Sequence, residues 1–241
     1  KKIKLPSSVI THRPLLKQCA KAGIFLFLST GAASISEIAD AISIITKHHR
    51  RIVLMQCTMH YPASLGECNL GVLDTLKYTF PFVGRGFSDH TASVYRAACA
   101  AAHMGAEVIE KHITLSKCMP GPDHFFALES GELKRMVRKI REAEKCKNVK
   151  RKIDKGLYGS TEKKVLASER YLKNFTYPIL FARKNMKKGS IVRPSDLIIL
   201  RRANFKGGIS SHHASLFTAQ NIRARCLIRK NMPLQWGSLP L

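Results

Sequence analysis

Two histidines and a carboxylate recur in one kind of place: His90 closes Ser88-Asp89-His90, and His112 closes Glu110-Lys111-His112. Each segment ends a short apolar run that reads as a β-strand, so both imidazoles sit at strand ends. If the two strands are neighbours, the rings reach one cavity and can share a divalent cation, for which neutral imidazole is a good ligand. Glu110 lies two residues before His112, and residues two apart on a strand point the same way. The carboxylate therefore joins the imidazoles. Taken singly, either histidine could be a hydrogen-bonded core or rim residue; the paired placement favours the ligand role.

Such side chains need a scaffold that gathers strand ends. From the start to about Cys146, β-rich runs alternate with longer helical patterns. The strand candidates are Ile3 to Pro6, Ile24 to Leu28, Ile52 to Cys57, Phe82 to Phe87 and Glu107 to Ile113. Helical stretches separate them: Pro14 to Ala22, Ile35 to His48, Leu70 to Phe80, Ala92 to Met104 and Gly131 to Cys146. Ser34 with Glu37 forms the SxxE capping box that opens the second helix. Repeated βα units imply a parallel sheet. Polar residues collect where the strands stop, in Pro6-Ser7, Ser29-Thr30-Gly31, Cys57-Thr58 and the two histidine segments. A β/α barrel builds its active site at that end of its strands. A doubly wound open sheet also gathers ligands there and is the alternative arrangement.

After Cys146 the composition shifts to a Lys-rich stretch with Gly156, Gly159 and Ser160, and a second small domain begins near Tyr177. Short strand-like runs separated by turn residues make it richer in strand than helix, and its size implies support from another surface. The expected boundaries are a partial β/α barrel over 1–147, a linker over 148–176 and the small domain over 177–241.

Bulk properties narrow the class. A chain of 241 residues, 45% hydrophobic, buries a real core. No uncharged apolar run of about 18 residues occurs and the first residues are not a secretory signal, so no membrane partner is expected and the cytoplasm is the expected location. The seven cysteines are scattered and never form CxxC, which points to reduced thiols. A formal charge of +25 raises nucleic-acid binding as a rival. The densest basic stretch, Lys134 to Lys173, carries no recognisable nucleic-acid motif and no interleaved aromatics, and the rival ranks below an enzyme.

Six ordered segments carry a family resemblance: LPSS (Leu5 to Ser8), LSTG (Leu28 to Gly31), QCTMHYP (Gln56 to Pro62), GFSDHT (Gly86 to Thr91), EKHITL (Glu110 to Leu115) and MPGPDH (Met119 to His124). Together they resemble the signature segments of N-acetylneuraminate (sialic acid) synthases and their legionaminic and pseudaminic relatives. KNMKKGSIVRPSDLIILRR, from Lys184 to Arg202, resembles the opening of that family's C-terminal antifreeze-like (SAF, β-clip) domain. MPGPDH resembles the neuraminic and legionaminic branches and the ending PLQWGSL the pseudaminic one, so the product stays open.

The resemblance implies a fold made of about the last five βα units of a TIM barrel, followed by the SAF domain. It implies a transferase that condenses phosphoenolpyruvate with an N-acyl-mannosamine-type amino sugar and releases phosphate. His90 and His112 would hold the metal, with manganese usual and magnesium the alternative. Glu110 would handle protons. Lys4, Ser7, Ser29 and Ser88 fall at the family's phosphoenolpyruvate positions, while Tyr61 and Asp123 fall at its amino-sugar contacts. Arg202 matches an arginine that crosses a domain-swapped homodimer to the neighbour's N-acyl group. Gln56 replaces the family's histidine or lysine, and Met59 stands where an asparagine contacts phosphoenolpyruvate. Eight strands make a full barrel, and the family's first three have no counterpart here; a non-catalytic remnant or binding subunit of this fold is therefore the alternative to an enzyme.

Overall fold

A computed structural model describes residues 1–145 and 153–240. Strands β1 (Lys2–Leu5), β2 (Phe25–Ser29), β3 (Ile52–Cys57), β4 (Gly84–Asp89) and β5 (Val108–Lys111) form one parallel sheet in the order of the chain. Helices α1 (Arg13–Lys21), α2 (Ile35–Thr46), α3 (Val72–Thr79) and α4 (Arg96–His103) connect them, and α5 (Ser130–Lys145) follows β5. A doubly wound sheet reverses its strand order at a switch point; this one never does.

Curvature decides the architecture. In a flat sheet, β1 and β5 would stand about 19 Å apart, four strand spacings of about 4.8 Å. Yet the Lys4 Nζ on β1 lies 2.9 Å from Glu110 Oε1 on β5. The outermost strands touch through their side chains only because the sheet bends as a barrel wall does. The five units are thus a half-barrel, with Lys4 and Glu110 on its concave face.

The core follows from the strand sequences. All six residues of β3 are buried, as expected of a central parallel strand covered on both faces. Leu26, Leu28, Ile52 and Leu54 pack against Leu16, Ile38, Ile42 and Ile45 of α1 and α2. The Ser34 capping box is present, with Glu37 N–H donating to Ser34 Oγ at 3.2 Å and Ser34 N–H to Glu37 Oε2 at 2.8 Å.

Among the expected boundaries that move, two do so for a clear local reason. β4 starts at Gly84 instead of Phe82 and runs through Gly86, where a Cβ would meet the Met55 side chain and the Val108 carbonyl. Close approach of the flanking strands, not β propensity, selects the glycine. Helix α4 starts at Arg96 instead of Ala92. Asp89, Thr91 and Ser93 each accept a backbone N–H from Thr91, Ser93 and Arg96 in turn, and these nested turns delay the helix.

The stretch expected as a linker packs closely over 153–176; residues 146–152 lie outside the described residues. Helices α6 (Lys155–Tyr158) and α7 (Arg170–Thr176) belong to a strap along the half-barrel. Leu70 and Gly71 donate N–H bonds to Leu157 and Tyr158 carbonyls. Beyond it, β6 (Pro178–Ala182) and β7 (Leu197–Arg201) pair antiparallel, and isolated bridges join Met186 to Ile228 and Ile191 to Arg223. Leu180, Val192, Ile209, Phe217, in the short helix α8 (Leu216–Ala219), and Leu234 fill this unit. It leans on α1 and α2: Ser211 Oγ donates to the Thr11 carbonyl, and Asp40 meets both Arg13 and His212.

Candidate active site at the concave mouth

Register places the histidines. Asp89 pairs with Lys111 across β4 and β5, so the residues that follow, His90 and His112, leave neighbouring strands together. Their rings stand edge to face with centroids 5.4 Å apart. Tyr61 stacks on His90 at 4.2 Å and meets His112 edge-on at 5.9 Å. Asp123 Oδ2 lies 4.0 Å from His112 Nε2.

Below the rings, Glu110 Oε1 receives both Lys4 Nζ at 2.9 Å and the Ser88 hydroxyl at 2.8 Å. β1, β4 and β5 thereby meet at one oxygen. Ser29 Oγ is buried without a hydrogen-bond partner among the described residues. Ser7 Oγ accepts the Gly31 N–H at 2.9 Å, a bond that leaves its own proton to donate. The Arg202 guanidinium donates to Asn174 Oδ1 at 3.2 Å.

The ring orientation of His90 is fixed from behind. Its Nδ1 is 2.7 Å from the Thr58 carbonyl, which can only accept, so Nδ1 carries the proton and Nε2, 3.5 Å from the Ser88 hydroxyl, is the nitrogen left to act as a ligand. Cys57 Sγ lies 3.8 Å from both ring nitrogens. Burial works against charge on either group, but their mutual attraction outweighs it, lowering the thiol's pKa and raising the imidazole's. Burial, then the charge of His90, lowers the pKa of His112. Burial, with Cys57, Asp123 and Glu110 around it, raises that of the Tyr61 hydroxyl, which stays a donor.

The donor chemistry suits a cation. Two imidazoles face each other amid Cys57, Asp123 and Glu110, surroundings that favour positive charge. Among the described residues no three His, Cys, Asp or Glu side chains are arranged to hold a metal ion. A metal here would take two protein ligands and complete its shell with water or substrate oxygens.

Gln56 and Met59, the two departures from the family's pattern, are both buried. Met59 is buried in the core, its Sδ 3.6 Å from the Thr176 hydroxyl. Gln56 donates to the Cys68 carbonyl and accepts from Lys163 Nζ at 3.2 Å. Sequence reasoning missed Cys57 beside His90, Lys163, and Glu169, whose carboxylate holds backbone amides of two mouth loops. The adjacent Thr58 at a strand end was a signal for Cys57; nothing in a Lys-rich stretch singles out Lys163.

The NeuB family matches residues 1–152, more than half of the chain. The chain belongs to the NeuB family. It is 35% identical to the spore coat polysaccharide biosynthesis protein SpsE of Bacillus subtilis, over 99% of this chain and 64% of that protein. It is 39% identical to the N,N'-diacetyllegionaminic acid synthase of Campylobacter jejuni, over 86% of this chain and 58% of the synthase. The crystal structure of B. subtilis SpsE superposes with a TM-score of 0.93 at 34% identity, covering 100% of this chain and 68% of that one. This NeuB-family chain thus spans less than two thirds of these curated relatives. Among the described residues no helix is long and apolar enough to cross a membrane.

Proposed function

We propose that this NeuB-family chain carries the later half of a nonulosonic acid synthase site, which joins phosphoenolpyruvate to an open-chain N-acyl-mannosamine-type aldehyde. The observation that carries the reading is the node at Glu110, where Lys4 and Ser88 converge beneath the facing His90 and His112 rings. Membership of a family whose relatives include a legionaminic acid synthase supports it.

C3 of phosphoenolpyruvate attacks the aldehyde carbon, whose oxygen takes up a proton. Water adds at C2, and the tetrahedral intermediate loses phosphate by C–O cleavage, leaving the 2-keto acid. Lys4 and Ser88 supply a cation and a hydroxyl for the phosphate, and the buried Ser29 hydroxyl offers another donor. Glu110 shuttles a proton between the water and the sugar oxygen. Tyr61 and Asp123, beside the rings, orient the sugar. His90 and His112 would hold a divalent ion, manganese or magnesium, which supplies Lewis-acid polarisation of the aldehyde oxygen when bound.

Residues 177–241 are read as the SAF domain, a reading supported by the β6–β7 hairpin and its single bridges around an apolar cluster. In a domain-swapped homodimer Arg202 would serve a neighbour's N-acyl group. In the full-length protein, phosphate release from phosphoenolpyruvate is expected to require both an N-acyl amino sugar and a divalent ion. Release that persists without the sugar, or ignores chelation, would overturn the reading. His90→Ala and His112→Ala are each expected to abolish the metal dependence.

A further inference from the structure

The strap sends one carboxylate under the mouth. Glu169 is 1% exposed and has come from 110 residues beyond Met59 and 137 beyond Ala32. Its Oε1 accepts the Ala32 N–H at 2.7 Å and the Met59 N–H at 2.8 Å, and its Oε2 accepts the Leu166 N–H at 2.9 Å. Ala32 has φ +52°, a left-handed conformation that an alanine adopts only when its surroundings impose it. Nearby, Tyr177 donates its hydroxyl to the Gly31 carbonyl at 2.9 Å, and the buried Lys163 adds a cation bonded to Gln56.

The two amides belong to the two loops that feed the mouth. One loop follows β2 directly after Ser29 and contains Gly31, whose N–H in turn holds Ser7. The other follows β3 and contains the Thr58 carbonyl that orients His90 and the Tyr61 ring that stacks on it. A neutral core contact would have been cheaper to bury than a carboxylate, since a charged group is tolerated inside only when it is well hydrogen-bonded. Three backbone donors meet that condition and give the carboxylate a reason to be there.

We propose that Glu169 is a positioning residue that clamps the loops after β2 and β3 to each other, and so sets the phosphoenolpyruvate side of the mouth. The proposal rests on the functional reading above for its ligand, but the clamp itself is testable without it. Glu169→Ala in the full-length protein is expected to speed amide exchange at both Ala32 and Met59 by about tenfold, the loss of roughly one hydrogen bond each. The dissociation constant for phosphoenolpyruvate, read by calorimetry, is expected to rise by about tenfold as well. Unchanged exchange in both loops overturns the clamp. Faster exchange with unchanged affinity for phosphoenolpyruvate overturns the positioning role and leaves a structural contact. Should the alanine variant not fold, Glu169→Gln carries the test. Its amide nitrogen faces the Leu166 N–H donor to donor, so both readouts are expected to shift the same way by about threefold, and no shift overturns the proposal. If the unaltered protein binds no phosphoenolpyruvate, the functional reading falls, and the exchange comparison alone decides the clamp.

Discussion

Two ion pairs tie β4 and β5 to their surroundings, and they lie in opposite regions of the wall. On the concave side Lys4 meets Glu110 with side chains 31% and 39% exposed. Within the wall Lys111 meets Asp89 at 2.9 Å with side chains 2% and 0% exposed, and Lys111 also donates to the Thr91 carbonyl. Adjacent residues on one strand point to opposite faces, so Glu110 and Lys111 serve different environments. The contrast separates roles: the buried pair sets the register that delivers His90 and His112, and the exposed pair keeps its groups free to rearrange around a ligand.

The largest effect should come from breaking the buried pair. Lys111→Met leaves Asp89 charged without its counter-ion, and urea unfolding should show a loss of about 3–5 kcal/mol, only part of it recovered when Asp89→Leu is added, because the buried Thr91 N–H then loses its acceptor. A loss below about 1 kcal/mol would erase the distinction between the two pairs. Glu110→Gln inverts the pattern: stability should change by less than about 1 kcal/mol, while phosphate release falls by about a hundredfold. Equal losses of stability from the two variants would contradict it.

Acid offers a third probe, at the loop after β3. Burial works to raise the pKa of Glu67, but hydrogen bonds from Ser64 and His60 prevail and lower it from 4.5 to about 2, with Ser168 alongside but not itself aligned for a bond. A carboxylate whose folded pKa is depressed stabilises the fold above its unfolded pKa, and that contribution is lost as pH falls from about 4.5 toward 2. Denaturation midpoints measured across that window should decline more steeply than in Glu67→Gln; parallel curves would show that the loop does not depend on this charge. The smallest effect belongs to Ser34→Ala, which should cost about 1 kcal/mol by removing the cap of α2, read by thermal melting, and leave both ion pairs untouched.

Much of the half-barrel was legible because its signals are local. Ile52–Met55 is an apolar run between helical stretches, and β3 occupies the expected residues Ile52–Cys57. The strand-end polar segments announced the mouth for the same reason. Gly84 and Gly86 hid the course of β4, since the need for glycine there comes from Val53 and Glu107 beside Gly84 and from Met55 and Val108 beside Gly86. The strap was opaque in another way. Lys163 and Glu169 act through partners about a hundred residues distant, and in a stretch crowded with charge neither differs from a solvated side chain until the chain is folded. In the C-terminal unit, most backbone pairing outside the β6–β7 hairpin is by single bridges, which have no periodicity to read.

The contact between Lys4 and Glu110 joins the first strand of the sheet to the last. A bond that spans the whole width of a wall measures how tightly that wall is rolled: flattening by even one strand spacing would carry its two ends beyond reach. The shape of the scaffold and the electrostatics at its rim are therefore a single variable, and whatever holds the outer strands in place also governs how much positive charge the mouth presents to an anion.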